Sequence, residues 1–208
     1  MQVWGGLNRA IALLALVLLS PVLGAIGVLI KLDSRGPVLY HGVRSSPNGT
    51  FSILKFRTML SSPGPAITAE NDRRITPVGR WLRRSKADEL PQLWNVLRGD
   101  MMLVGPRPED PQYVDWSNEL HRTVYSAKPG MTGPAALQFQ NEQQILLGAA
   151  QEIAQRSGRT QVTDGDIDAA YREVLQPLKL KIDLEYLSHR SVRGYLRWMA
   201  DTIRRLIT

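Results

Sequence analysis

The residues best suited to chemistry are two adjacent carboxylates, Asp88 and Glu89, at the head of the segment Asp88-Glu89-Leu90-Pro91. Acidic residues near a helix start have an ordinary use, since they cap free N–H groups and suit the helix dipole. Their surroundings argue for more. Between Arg73 and Lys86 stand six basic residues and no acidic one, and Pro106-Arg107-Pro108 follows downstream. Carboxylates set among cations make a site where a divalent metal, a diphosphate and a nucleophile can coexist. Phosphoryl transfer needs a hard cation on carboxylate oxygen, with arginine or lysine to offset charge on the transferring group. A carboxylate can also attack phosphorus itself and form an acyl phosphate. Spacing does not say which carboxylate takes which role.

Other chemistry is thinly supported. The chain has no cysteine, which excludes disulfides and thiolate metal sites. His41, His121 and His189 are scattered without metal-ligand spacing and read as structural. Trp81, Trp94 and Trp116 read as core or interface anchors rather than stacking platforms. A net charge of +7 over 208 residues suits an anionic partner: nucleic acid, a headgroup surface or a phosphorylated substrate.

The N-terminus chooses among these. Residues 10–30 read AIALLALVLLSPVLGAIGVLI, with Ser20 the one polar residue. That length is enough to span a bilayer and exceeds a signal-peptide core. A membrane anchor makes a nucleic-acid role for the six-cation segment a poor fit. Ser20-Pro21 in mid-run leaves a kinked span and a helix-break-helix hairpin both open, because Ser20 can take up a carbonyl that Pro21 frees. Basic residues on both flanks, Arg9 before and Lys31 and Arg35 after, favour the hairpin narrowly.

Beyond the anchor, residues 38–57 are expected to form a β-hairpin with its turn at Ser46-Pro47-Asn48-Gly49, and with Lys55 and Arg57 on one face of its second arm. Residues 61–65 read as a Ser/Pro/Gly loop. Thr76-Pro77 opens a helix whose apolar face holds Val78, Trp81 and Leu82. A second helix is expected over 89–97, stopped by Arg98-Gly99, then a buried run over 101–104. Residues 142–156 and 164–175 read as helices joined by a polar linker. In 178–207, Leu196, Met199, Ile203 and Leu206 fall on one helical stripe and Arg193, Arg197 and Arg204 on another. The whole is expected to be an α/β fold, mostly helical, with a membrane hairpin over 1–35 and a globular domain over 36–208.

Several stretches together resemble the small monotopic phosphoglycosyl transferases, bacterial enzymes that begin glycan assembly on a polyprenyl phosphate. They are Ser20-Pro21 in the apolar run, KFRTM from Lys55, the block NDRRITPVGRWLRRSKADELPQLWNVLRGDMMLVGPRP from Asn71, KPGMTGP from Lys128 and DLEYLSHRS from Asp183. The resemblance implies a re-entrant anchor breaking at Ser20-Pro21, with the domain on the cytoplasmic face of the inner membrane. It implies that Asp88, associated with Mg²⁺, takes a sugar-phosphate from a UDP-sugar and releases UMP. Polyprenyl phosphate then attacks the covalent intermediate. Glu89 is expected to assist with metal or proton handling, and Lys55, Arg57, Arg83, Arg107 and Pro108 to lie near the phosphates. The expected partners are the UDP-sugar, polyprenyl phosphate and membrane lipid, without nucleic acid; self-association is left open. The competing reading is an inactive membrane scaffold for glycan assembly, which the intact dyad argues against. The chain departs from its relatives in AALQFQNEQQ after KPGMTGP, at Arg73 and in a longer C-terminal third, so the sugar is not named.

Overall fold

In the computed structural model, which describes residues 2–60, 72–139 and 141–207, the chain is mostly helical with two small sheets. The expected loop over 61–65 lies outside the described residues. Helix α1 spans Gln2–Asp33, with Pro21 inside it. The break expected at Ser20-Pro21 is therefore not an interruption of the helix. Pro21 has no N–H to give the carbonyl four residues back, and Ser20 Oγ donates to that carbonyl, Val17 O, at 2.8 Å. The orphaned acceptor is satisfied, so the helix continues.

One side of α1 packs on the domain along its length. Ala12 is fully buried in a cluster with Leu93, Val96 and Leu103, and Ile26 and Ile30 are buried with Phe56 and Leu82. Its other side leaves Leu14, Val17, Leu18 and Leu32 exposed. Both ends are tied to the domain by hydrogen bonds. Asn8 Oδ1 accepts from Leu103 N at 2.7 Å and from Tyr195 Oη at 2.5 Å, and Arg9 donates to Arg98 O at 3.3 Å. At the far end, Arg57 donates to Ser34 O at 2.7 Å and Arg35 O at 2.5 Å.

Strands β1 (Leu39–Ser46) and β2 (Gly49–Phe56) form the antiparallel hairpin, pairing Leu39 with Phe56 and Ser46 with Gly49. The turn is Ser46-Pro47-Asn48-Gly49, as expected, with Pro47-Asn48 as its loop. Pro47 fixes its own φ, and Gly49, with φ +114°, supplies the left-handed residue instead of Asn48. Helix α2 (Pro77–Arg84) begins where expected, with Thr76 Oγ1 accepting from Gly79 N at 3.0 Å. Leu82 is buried and Val78 packs beside it, as expected, but Trp81 is not on the buried face. Gly79 lies against the Thr58 backbone, where a Cβ would come within 2.1 Å of Thr58 O. That approach turns Leu82 inward and leaves Trp81 54% exposed. Trp94 and Trp116 are also exposed, so none of the three is a core residue.

Helix α3 (Gln92–Arg98) ends at Gly99, φ +90°, and β3 (Met102–Val104) follows. After α4 (Glu119–Tyr125), β4 (Gly130–Thr132) pairs with β3 in parallel. Helices α5 (Pro134–Gln138), α6 (Glu142–Arg156) and α7 (Asp164–Ala170) lead into a π turn over Tyr171–Leu175, and α8 (Gln176–Ser188) continues directly. Helix α9 (Val192–Ile207) closes the chain. The expected stripe on α9 is split: Tyr195, Trp198 and Met199 pack inward while Leu196 is 53% exposed. The side chains of Ile203 and Leu206 lie outside the described residues.

Candidate active site

The dyad does not sit on a helix start. Helix α2 ends at Arg84, and Lys86 takes φ 57°, ψ 13°, the one non-glycine residue with positive φ among the described residues. Such a conformation costs on the order of 1–3 kcal/mol and persists only where the surroundings enforce it. Here it reverses the chain into a 3₁₀ turn, Ala87–Glu89, that carries both carboxylates. Helix α3 is capped by Pro91 without a side-chain bond. Neither Asp88 nor Glu89 is a helix cap, so the ordinary explanation for the pair fails.

Three elements converge on Glu89. From β2, Lys55 Nζ donates to Oε1 at 2.9 Å. From the loop after β3, Arg107 donates to Oε1 through Nη2 and to Oε2 through Nη1, the latter at 3.3 Å. The side chains of Lys55, Glu89 and Arg107 are 22, 12 and 34% exposed. Burial alone would raise the Glu89 carboxyl. The Arg107 and Lys55 charges, and their hydrogen bonds, outweigh it and hold Glu89 well below the usual carboxylate range. Glu89 is thus an anion with both oxygens taken. Burial lowers the Lys55 ammonium from its ordinary value, against the pull of Glu89.

Asp88 is in the opposite condition. It is buried, and its carboxylate makes no hydrogen bond or ion pair among the described residues. Burial raises it above the ordinary aspartate value, the Glu89 charge raises it further, and Lys55, Lys86 and Arg83 pull it back. Arg83 lies on α2, where Nε donates to Thr58 Oγ1 at 2.9 Å and Nη2 contacts Met59 Sδ at 2.9 Å.

The sequence-expected residues therefore divide. Lys55, Arg83, Arg107, Asp88 and Glu89 share one neighbourhood, with Pro108 buried beside Arg107. Arg57 points elsewhere. Strand β2 ends at Phe56, so alternation no longer holds Arg57 on the Lys55 face, and its guanidinium is used on the carbonyls ending α1. Ser20 and Pro21 are exposed on α1.

Two positioning devices escaped the sequence reading. Asn95 of α3 is 1% exposed; its Oδ1 accepts from Leu54 N at 2.9 Å and its Nδ2 donates to Ser52 O at 2.7 Å. It pairs with the free edge of β2 as another strand would, fixing the dyad-bearing segment to the strand that carries Lys55. The second is close glycine packing. A Cβ on Gly130 would lie 2.1 Å from Gly105 N, and one on Gly133 would lie 2.1 Å from Gly105 O. The approach seats the Pro106-Arg107 loop against β4. Its only sequence signal was the glycine in KPGMTGP and in VGPRP.

Among the described residues no group of three histidine, cysteine or acidic side chains could hold a metal ion. A Mg²⁺ ion does not need one. It is commonly held by one or two carboxylates plus substrate phosphates and water. The unpartnered Asp88 carboxylate fits that donor set, and Glu89, committed to two cations, does not.

The bacterial sugar transferase family model matches residues 5–208. The chain belongs to the bacterial sugar transferase family. It is 42% identical over 137 residues, 61% of the chain, to an undecaprenyl-phosphate glucose phosphotransferase of Komagataeibacter xylinus, of which this covers 26%. It is 41% identical over 135 residues, 62% of the chain, to a UDP-N-acetylgalactosamine-undecaprenyl-phosphate N-acetylgalactosaminephosphotransferase of Aeromonas hydrophila, covering 32% of that protein. An exopolysaccharide production protein of Rhizobium leguminosarum bv. phaseoli is 42% identical over 138 residues, 61% of the chain and 68% of the relative. The chain spans only about a quarter to a third of the first two relatives. Two of these sugar transferase relatives are named for different sugars, so likeness does not name the sugar here.

Proposed function

We propose that the protein transfers a sugar-1-phosphate from a UDP-sugar to a polyprenyl phosphate through a covalent intermediate on Asp88. The observation that carries this is the unequal state of the two carboxylates. Glu89 is fully engaged by Lys55 and Arg107, whereas Asp88 is buried, unpartnered and raised toward the basicity a nucleophile needs.

An Asp88 oxygen attacks the phosphorus that bears the sugar. The bond from that phosphorus to the bridging oxygen breaks, and UMP leaves with the bond's electrons. An oxygen of the polyprenyl phosphate then attacks the same phosphorus, and the carboxylate of Asp88 is released unchanged. Arg83 and Lys86 offset charge on the transferring group; Glu89 orients Lys55 and Arg107 toward it and acts as a positioning residue rather than a base. Mg²⁺ held at Asp88 would supply charge neutralisation at the donor diphosphate.

The anchor reading is that α1 is re-entrant, bent at Ser20-Pro21, and that the domain lies on the cytoplasmic face of the inner membrane. By length and composition α1 is apolar enough to cross a bilayer. What favours the shallow placement is that both ends and the middle of a helix about 48 Å long pack on one domain. A crossing helix would carry one end away from it. The free side of α1 then meets lipid, and the dyad stands at headgroup level, where the acceptor's phosphate lies.

The test is Mg²⁺-dependent UMP release from a panel of UDP-sugars by purified protein with polyprenyl phosphate, beside Asp88→Asn. Release with one sugar that the variant abolishes supports the reading. Ordinary turnover by Asp88→Asn overturns it.

A further inference from the structure

The C-terminal third of the chain reaches back to the loop that carries Arg107. Helix α7 ends at Ala170, and the next five residues, Tyr171–Leu175, form the π turn. In an α-helix Tyr171 and Gln176, five positions apart, would point about 140° away from each other. The π turn closes a wider ring, with Gln176 N donating to Tyr171 O, and brings both side chains to one side; such turns are rare and recur at functional sites. Both side chains then bond to the segment just after Arg107. Tyr171 Oη donates to Glu109 Oε2, and Gln176 Nε2 donates to Tyr113 O at 2.7 Å. We propose that Tyr171 is a positioning residue for the transfer step, an inference that rests on the transferase reading above: its hydroxyl, bonded to Glu109, holds the Arg107 loop so that the guanidinium meets Glu89.

The partners of Glu109 suit that task. Among the described residues its carboxylate has no lysine or arginine partner; phenols and a backbone amide take its oxygens instead. Tyr125 Oη also donates to Oε2, at 3.3 Å, and Asp110 N donates to Oε1 at 2.9 Å. A hydroxyl donating to a carboxylate makes a short and directional bond, where a lysine on a flexible stem would leave the loop room to move. Tyr171 is 6% exposed and its ring is fixed before the hydroxyl is counted. Tyr113 packs against it with ring centroids 4.6 Å apart, and Lys179 Nζ lies 5.4 Å from its centroid. Burial and the Glu109 charge push the phenol above its ordinary value, so it stays protonated and donates.

A short, stiff path links this bond to Arg107. Arg107 stands between Pro106 and Pro108, whose rings fix their own φ, and Glu109 follows directly. On one side of it, Gly105 is seated against the backbone of Gly130. On the other, Ser45 N donates to Glu109 O at 2.8 Å and Arg44 Nη1 to Asp110 Oδ2 at 3.0 Å, tying the segment to β1. Strand β1 thus fixes the Glu109 backbone, and the π turn fixes its side chain. Arg107 is strung between these two anchors with its guanidinium on both oxygens of Glu89. Because Arg107 is a third exposed, water competes for that guanidinium, and a loop fixed at both ends lowers the entropy lost in holding it on Glu89.

Tyr171→Phe removes one oxygen and keeps the ring, so it separates the bond from the packing. The expected result is a single-turnover burst of UMP from the UDP-sugar about tenfold or more slower than wild type. A wild-type burst that Tyr171→Phe leaves within about twofold overturns the proposal. A second measurement needs neither donor nor acceptor: the Tm of nanodisc-reconstituted protein in a double-mutant cycle of Tyr171→Phe with Glu89→Gln. Among the described residues Tyr171 makes no hydrogen bond to Glu89 or Arg107, so losses that stay local add. If Tyr171 seats Arg107 on Glu89, then Glu89→Gln removes part of what the hydroxyl protects. Tyr171→Phe is expected to lower Tm by roughly 4–8 °C alone, and by about half as much or less beside Glu89→Gln. Additive losses would show a bond that does not reach Arg107, and they overturn the proposal even if the burst is slow. Should no donor give a burst with wild-type protein, the transferase reading fails by itself, and the Tm cycle still decides whether Tyr171 holds Arg107 against Glu89.

Discussion

Adjacent carboxylates in opposite environments should respond to neutralisation with opposite signs. Glu89→Gln leaves Lys55 and Arg107 facing each other around a neutral amide. Removing one partner of a buried ion pair costs roughly 3–5 kcal/mol, because the remaining charge stays buried. Arg107 is a third exposed and can relax toward water, which discounts its share, so a loss of about 3 kcal/mol is expected. For a chain of this size that is a fall in Tm of roughly 6–12 °C. Asp88→Asn behaves differently. The folded pKa of Asp88 lies above its unfolded value, so near neutral pH its ionised form opposes folding, and that penalty disappears on protonation. Asparagine mimics the protonated form and removes no hydrogen bond, so Tm should hold or rise while UMP release is lost. The assay is intrinsic tryptophan fluorescence against temperature for nanodisc-reconstituted protein, and Lys55→Met in the Glu89→Gln background should recover part of the loss. Equal destabilisation by the two substitutions, or an unchanged Tm for Glu89→Gln, would refute the assignment of distinct roles.

The pH dependence follows from the same fields. Formation of the adduct requires ionised Asp88, so its rate falls as pH drops through a folded pKa raised above the ordinary 3.8; Glu89→Gln removes a charge that raises it, and the acid limb of the single-turnover pH profile should move to lower pH. A limb displaced upward would contradict that electrostatic picture. Asn95→Ala frees both the edge of β2 and α3, and should cost about 2 kcal/mol together with a fall in kcat, read from denaturant melts and turnover. Gly130→Ala places a methyl group into Gly105 and should destabilise by about 1–3 kcal/mol, with the Arg107 loop displaced. Arg57→Lys should lower Tm by loosening the end of α1 and leave the UDP-sugar KM within about twofold, since its guanidinium faces carbonyls rather than the dyad; a tenfold rise in that KM would return Arg57 to the phosphates.

Local chemistry made much of this fold readable. Thr76-Pro77 carries its own cap and start, the β-hairpin follows from alternation around a turn, and Ser20 stands where the carbonyl freed by Pro21 needs a donor. The carboxylates were visible because like charges side by side among cations need a reason. What could not be read depends on partners far along the chain. Asn95 and Ser52 are 43 residues apart, and Asn8 and Tyr195 are 187 apart. Nothing in the neighbours of Asn8 or Asn95 announces such a bond. The orientation of Arg57 was missed because strand periodicity was carried one residue past the end of β2. The exposed side of Trp81 was missed because the fit of Gly79 on the Thr58 backbone, and not the apolar count, sets the rotation of α2. The different roles of Asp88 and Glu89 were likewise not in their spacing; they come from Lys55 and Arg107, brought in by two other elements.

The central claim is that Asp88 carries the phosphosugar. The most direct measurement is peptide mass spectrometry of protein quenched after brief exposure to the active UDP-sugar and Mg²⁺ without acceptor. The account predicts a sugar-phosphate mass increment on the peptide containing Asp88, absent in Asp88→Asn and discharged when polyprenyl phosphate is added. The same increment on Glu89, or turnover with no adduct on either residue at any quench time, would contradict it.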